Sequence, residues 1–389
     1  MAYEENRAPL MKRKIVIIGG GASGLFLSSL IPGALLLEKN NTVGKKLSLT
    51  GGGKCNLTHE GEPREIVSHY YDKKRFVSPS IYTFPPVKIR EYFSSLSLDT
   101  YVRSDGKIFP NSEKSSDVIR VLTKGDISLE TKVISIARNE DFFVLTTNKG
   151  VIEAEKVVVA TGGSSFPQTG SDGSFFSMLS LLGHKIIPLS PALTSLKVME
   201  NMGRVEGITV EDVSIKYKKI KKESSILFTR NGISGPEIMN ISREVENESK
   251  IEISLSSFPP SELFHLKGNM RAIKALHEET SLPLRLLEER LSWKDKKIGD
   301  LSKKDSEEYR DKFYKWSPTV TTKGMLNSST VTKGGVDTDE VDPVTFKSKL
   351  VPNLWIIGEA LDVDGECGGY NLTFAFASAY SAYLSLTRE

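Results

Sequence analysis

The chain has 389 residues, more than one ordinary hydrophobic core serves, so two or three domains are expected. Its 39% apolar and 26% charged residues exclude a disordered chain. A net charge of +3, from 52 basic and 49 acidic residues, gives the whole chain no nucleic-acid footprint.

The two cysteines, Cys55 and Cys367, are far apart and neither lies in a CxxC pair, which excludes a disulfide framework and a zinc motif. No metal site is expected. No apolar run has membrane-spanning length, and the opening MAYEENRAPLMKR lacks the apolar core of a secretory signal. It reads as a loose tail, and the reducing cytoplasm is the expected compartment.

In chain order, residues 14–18 (KIVII) form a short apolar run stopped by glycines, as a strand buried on both faces does. Residues 22–31 read as a helix, cut short by Pro32 and Gly33. Residues 34–37 are a second buried strand ending at Glu38, which completes a βαβ unit. Residues 115–124 have helical spacing. Segments 127–137, 141–147 and 155–161 read as three successive strands, a meander, ending at Gly162 and Gly163. Residues 193–256 hold several short strands, and 259–315 become helical and charged, with 282–291 and 302–316 as the clearest helices. Strands return from Ser317 and end at 354–359 (LWIIGE), before a final helix over 371–386.

Four constellations carry chemistry. Gly19, Gly21 and Gly24 form a GxGxxG, with Ala22 and Ser23 inside it, between a buried strand and a helix. Gly19 makes the tight turn, Gly21 admits a pyrophosphate to the helix N-terminus, and Gly24 lets helix and sheet approach. Glu38, 19 residues after Gly19, stands where a ribose hydroxyl is bound, and an acid there favours FAD or NAD over NADP. The second is Gly51-Gly52-Gly53-Lys54-Cys55, a loop that a planar ligand can approach closely or else a flexible turn. The third is Ala160-Thr161-Gly162 after a buried strand. The fourth is Gly358-Glu359 followed by Gly368-Gly369-Tyr370-Asn371-Leu372, a Gly-acid turn suited to a ribityl chain. The helix N-terminus after it is suited to the flavin pyrimidine. Ser234 lies outside any GxSxG and the histidines form no HExxH, which excludes the usual serine hydrolase and zinc protease motifs.

The pairing of KKLSLTGGGKCNLT (45–58) with LWIIGEALDVDGECGGYNLTFAFASAY (354–380) resembles the bacterial NAD(P)/FAD-dependent flavoproteins of the BaiN/RdsA-like, or aminoacetone oxidase-like, group. ATGGSSFPQTGSDG (160–173), FTRNGISGPEIMNIS (228–242) and TKGGV (332–336) strengthen the resemblance, which covers nearly the whole chain. It implies an α/β fold: a discontinuous Rossmann-like FAD-binding domain of the two-dinucleotide-fold type, with an inserted β-barrel-like and helical domain. The expected division is 1–189 and 319–389 for the FAD domain, 190–258 for the barrel-like subdomain and 259–318 for the helical one. The resemblance also implies roles for Lys39 at the ribose, Lys46, Gly52 and Gly53 beside the flavin, and Val133 at the adenine. This chain departs from the group in its shorter first helix and in Cys367.

The implied function is FAD-dependent reduction of a carbonyl-conjugated C=C bond in a small molecule, with NADH or NADPH as the transient donor. Cys55, in the glycine loop, is the candidate acid, against the alternative of an inert buried thiol. One competing reading is reduction of ribosomal RNA uridine, since five lysines fall within 216–222 (KYKKIKK) and the basic excess lies in the insert. Another is a non-catalytic flavin-binding interaction protein.

Overall fold

Strand β1 (Met11–Ile18) ends in four consecutive buried residues, and Val16 and Ile17 are wholly inaccessible. A strand with no polar face must be covered on both sides, and this one lies inside a seven-stranded sheet. It pairs in parallel with β2 (Leu35–Leu37) on one side and with the strand Gly150–Val159 on the other. The computed structural model that shows this describes residues 11–266 and 270–388. The expected N-terminal tail falls almost wholly outside them.

Strand Gly150–Val159 organises the sheet. On the edge away from β1, its first half pairs antiparallel with Phe143–Thr147, with Phe143 opposite Ala154. Its second half pairs in parallel with Leu354–Ile356, with Trp355 opposite Val158. Strand Val133–Arg138 pairs antiparallel with Phe143–Thr147 and completes the meander. Residues 127 and 128, expected in that meander, instead belong to Asp126–Ser128, which pairs in parallel with β2 at the far edge. The chain turns between the two strands at Glu130, whose φ is 50°.

Helix α1 (Ala22–Leu30) has nine residues, too few to be stable alone. Its Leu25, Phe26 and Leu27 are fully buried. The Phe26 ring meets Phe84, Tyr92 and Phe376 at centroid distances of 5.5, 4.7 and 5.1 Å. Burying one such ring contributes about 1.5–3 kcal/mol, so packing holds this helix rather than propensity. Phe376 belongs to the final helix, Tyr370–Arg388, whose Ala377, Ala379 and Ala382 are also buried.

The chain divides into two compact units, residues 1–190 with 330–389, and residues 191–329. In the second, a six-stranded sheet runs in the order Glu252–Ser254, Thr209–Tyr217, Ile220–Thr229, Gly232–Ser234, Leu196–Val198, Val320–Thr322. Bridges from Lys250 to Thr319 and from Ile253 to Trp316 join its two ends, so the sheet curls on itself as the barrel-like expectation requires. One expected boundary is corrected. Residues 319–329 stay with this unit, because Val320–Thr322 is a strand of its sheet. Its strands and helices also share one apolar cluster, which includes Ile226, Phe228, Leu286 and Leu287, so the two expected subdomains lie in one compact unit. The helix expected over 302–316 is Lys303–Tyr309, opened by a capping box of Ser302 and Asp305 and continued by one π-helical turn, Arg310–Tyr314.

Candidate dinucleotide site

The glycine turn after β1 is locked by backbone contacts. Gly19 N–H donates to the Leu37 carbonyl and Ala160 N–H to the Ile18 carbonyl, at 2.8 and 2.9 Å. Gly19 has φ of 107°, and a Cβ on it would lie 2.5 Å from the Ala160 oxygen. A Cβ on Gly24 would lie 1.9 Å from the Gly19 oxygen, so only glycine lets α1 approach here. A Cβ on Gly21 would meet nothing within 4 Å. That open side faces a helix start whose first N–H groups lack intrahelical partners, the arrangement that receives a pyrophosphate.

At the end of β2, Glu38 is buried, and its carboxylate is fixed by local donors. Oε2 accepts from Gly20 N–H at 2.8 Å, and Oε1 from Asn40 N–H at 2.8 Å and Asn40 Nδ2 at 2.7 Å. Oε1 thus already accepts two hydrogen bonds, while Oε2, with one, keeps lone-pair capacity for a hydroxyl donor. Lys39 forms an ion pair with Asp172 at 2.8 Å, and Asn40 Nδ2 donates to the Thr169 carbonyl at 3.0 Å, so the 168–173 loop lies against this end. Thr131 N–H donates to the Glu38 carbonyl, which sets the buried Val133 two residues further on.

The other half of the chain enters at Gly358. Its φ is 64°, and a Cβ there would lie 2.6 Å from Ser23 Oγ. Gly358 N–H donates to Ser378 Oγ at 3.1 Å. Residues 19–24, 160–162 and 358–359 therefore form one cluster. Lys46 ties it further: Nζ donates to Glu359 Oε2 at 2.6 Å and to Ser165 Oγ. Glu359 Oε1 accepts from Thr332 N–H at 2.8 Å and Ser165 Oγ at 3.2 Å. The Glu359 carboxylate is thus held by protein donors on both oxygens.

Before the final helix, Gly369 has φ of 103°, and a Cβ on it would sit 2.7 Å from the Thr58 oxygen. Asn371 clasps the preceding loop, accepting from Gly365 N–H and donating to the Gly365 carbonyl, both at 2.9 Å. Leu372, half-buried, follows in the first turn. In the loop 51–53 all three glycines have positive φ, and a Cβ on Gly52 would meet nothing within 4 Å. Asn56 Oδ1 and Ser171 Oγ are buried without a hydrogen-bond partner among the described residues, and both lie in the glycine-rich loops. Open glycine faces and leftover polar atoms in these loops suit a dinucleotide laid against them.

Cys55 is corrected as a candidate acid. It has no solvent exposure and lies in the apolar cluster of the first unit. Burial pushes its thiol up to about 12. Such a group is a poor proton donor and is not presented to a substrate. Neither Cys55 nor Cys367 forms a disulfide among the described residues.

Sequence reasoning passed over Ser165, Thr332 and Asn40. The first two stand in motifs already singled out, 160–173 and 332–336, where glycine drew the reading instead of the neighbouring hydroxyls. Asn40 carried no signal beyond its place beside Glu38.

The family model for the HI0933-like protein Rossmann domain matches residues 13–384. The chain belongs to this HI0933-like family. Family and fold are those of FAD-dependent oxidoreductases. Among curated relatives of this HI0933-like chain, the ribosomal RNA dihydrouridine synthase of Escherichia coli is 28% identical, over 94% of this chain and 96% of its own. The 3-dehydro-bile acid delta(4,6)-reductase of Clostridium scindens is 27% identical, over 95% and 98%. A quinol–fumarate reductase solved with menaquinol has the same fold, with a TM-score of 0.51 at 14% identity, over 98% of this chain and 71% of its own.

Gly358→Ala should weaken FAD binding roughly tenfold or more, because left-handed strain and the Ser23 contact together cost above about 1.4 kcal/mol. The flavin-to-protein absorbance ratio after gel filtration reads this directly. Because burial raises the Cys55 pKa to about 12, the group is a neutral thiol near pH 8. A thiol reagent at pH 8 should therefore titrate only Cys367 in the native protein, and both cysteines after unfolding.

Proposed function

We propose that this chain binds one FAD along the cluster joining its two ends and reduces a carbon–carbon double bond conjugated to a carbonyl. The observation that carries this reading is the seating of Gly358 on Ser23, which puts the dinucleotide turn and the ribityl turn side by side. In this reading Gly19, Gly21, Ala22, Ser23 and Gly24 receive the pyrophosphate. Glu38 and Lys39 flank the adenosine ribose, and Val133 offers backbone to the adenine. Ala160, Thr161 and Gly162 close over the dinucleotide. The backbone of Gly358 and Glu359 holds the ribityl chain, oriented by the Lys46 ion pair. Gly52 and Gly53 lie against the ring system, and Gly369, Asn371 and Leu372 present helix N–H groups to its pyrimidine edge.

FAD supplies the hydride, two electrons and one proton, that goes to the β carbon of the double bond. The chain's own part is to hold the ring, to exclude water beside it, and to deliver the second proton at the α carbon. NADH or NADPH is the proposed donor, a small enone the proposed substrate, and the cytoplasm, which keeps Cys55 and Cys367 reduced, the proposed compartment.

One observation favours a second reading, with ribosomal RNA as the acceptor. Strands Thr209–Tyr217 and Ile220–Thr229 form a hairpin that puts Lys216 opposite Lys221. Like charges directly opposed destabilise a hairpin. Lys216 and Lys218 have partners in Glu252 and Glu246, while Lys219, Lys221 and Lys222 have no ion pair among the described residues. A phosphate backbone would relieve that repulsion.

The test is anaerobic. The purified protein should carry flavin, bleach with NADH or NADPH, and recover its colour on adding a 3-oxo-4,6-diene bile acid or a ribosomal RNA fragment. Recovery with the bile acid alone supports the enone reading, and recovery with RNA alone the second. Bleaching without recovery by either removes both.

A further inference from the structure

Outside the dinucleotide cluster, three aromatic rings stack at the start of the final helix. The Tyr370 ring lies between His69, at a centroid distance of 4.0 Å and 14° from parallel, and His59, at 5.2 Å and 18°. The loop that leads into the helix is stitched to the same place. Glu366 N–H donates to the His69 carbonyl at 3.0 Å, and Tyr70 hydroxyl donates to the Tyr370 carbonyl at 2.7 Å. Glu366 Oε2 lies 2.7 Å from His69 Nδ1. The two partners are 297 positions apart in sequence, so the fold and not local chain geometry brings them together.

The three rings are not equivalent. Both nitrogens of His59 face backbone carbonyls, Nδ1 at 2.7 Å from Glu60 and Nε2 at 3.1 Å from Asp105. Burial first, then the nearby Glu366 and Glu65 carboxylates, hold the Tyr370 hydroxyl well above the ordinary tyrosine range, so it is a poor acid. His69 alone keeps a ring nitrogen without a hydrogen bond among the described residues. Its Nδ1 hydrogen goes to the Glu366 carboxylate, which fixes the ring and leaves Nε2 as the atom able to give or take a proton. The side chains of His69 and Glu366 are 26% and 27% exposed, open enough for a substrate to reach.

We propose that His69, positioned by Glu366 and by its stack on Tyr370, is the proton donor to the α carbon of the enone. This rests on the reduction reading above, in which the start of the final helix faces the flavin. The balance closes without another reagent. As hydride adds to the β carbon, the π electrons move toward the carbonyl as an enolate. The Nε2–H bond of the imidazolium breaks and a C–H bond forms at the α carbon. The imidazole left behind keeps its Nδ1–H bond to Glu366 and regains its proton from water. His69 is the catalytic residue and Glu366 a positioning residue.

The experiment uses the FAD-loaded protein, its flavin photoreduced without oxygen, then mixed with a 3-oxo-4,6-diene bile acid or a ribosomal RNA fragment. His69→Gln should slow flavin reoxidation by roughly a hundredfold or more. It should leave flavin absorption and the spectral change on binding acceptor to the oxidised protein as they are. Added imidazole should restore part of the rate. Glu366→Gln should lose less and shift the pH profile of reoxidation. Independently of turnover, the ¹⁵N resonance of His69 Nε2 in the unaltered oxidised protein should move when the saturated 3-oxo bile acid or a dihydrouridine-containing fragment binds. Reoxidation of His69→Gln at the unaltered rate, or an Nε2 signal indifferent to both ligands, overturns the proposal alone. Failure of the unaltered protein to reoxidise with either acceptor overturns the parent reading, and this one with it.

Discussion

One strand edge carries the architecture. Gly150–Val159 has ten residues, and the side turned away from β1 is shared between the meander strand Phe143–Thr147 and the late strand Leu354–Ile356. The second pairing places the strand that leads into residues 358–359 in the same sheet as the strand that leads into residues 19–24. Backbone N–H and C=O groups buried in a sheet must be paired, so the edge beyond Ala154 requires a partner. The chain supplies it after the whole of residues 191–329 has been interposed. The discontinuity of the first unit follows from a hydrogen-bonding requirement on a few residues.

The polar contacts in the cluster refine what that pairing brings together. The Lys46–Glu359 ion pair spans 313 positions and is partly screened from water, with side chains 22% and 21% exposed. Breaking one partner of such a pair leaves the other poorly solvated and costs more than a surface pair would. Ser165 and Thr332 N–H complete the donors around Glu359. The carboxylate therefore fixes the turn's shape. The same economy appears at Glu38, where Gly20 and Asn40 orient the carboxylate while leaving it capacity to accept a hydroxyl.

Much of this was legible in the sequence because it is set by local sterics. Gly19, Gly24, Gly358 and Gly369 stand where a Cβ would strike backbone or a packed side chain, and a strand–glycine–helix pattern announces such places. The barrel-like insert was legible through resemblance. What was not legible depends on contacts distant in sequence or on the chain's local direction. Residues 127 and 128 share the apolar character of the meander, and only the left-handed turn at Glu130 assigns them to the opposite edge. Cys55, in the glycine loop, read as a candidate acid or as an inert buried thiol. Its own φ of 62°, following the three positive-φ glycines, accompanies a fully buried thiol. His69 and Glu366 have no shared motif, and no spacing rule connects them.

The most direct test of the central claim is hydrogen–deuterium exchange of the apoprotein as FAD is added. A single ligand laid across both ends of the chain should protect residues 19–24, 38–40 and 358–372 together, saturating at one FAD per chain. Protection confined to the N-terminal segments, with 358–372 unchanged at saturation, would contradict it.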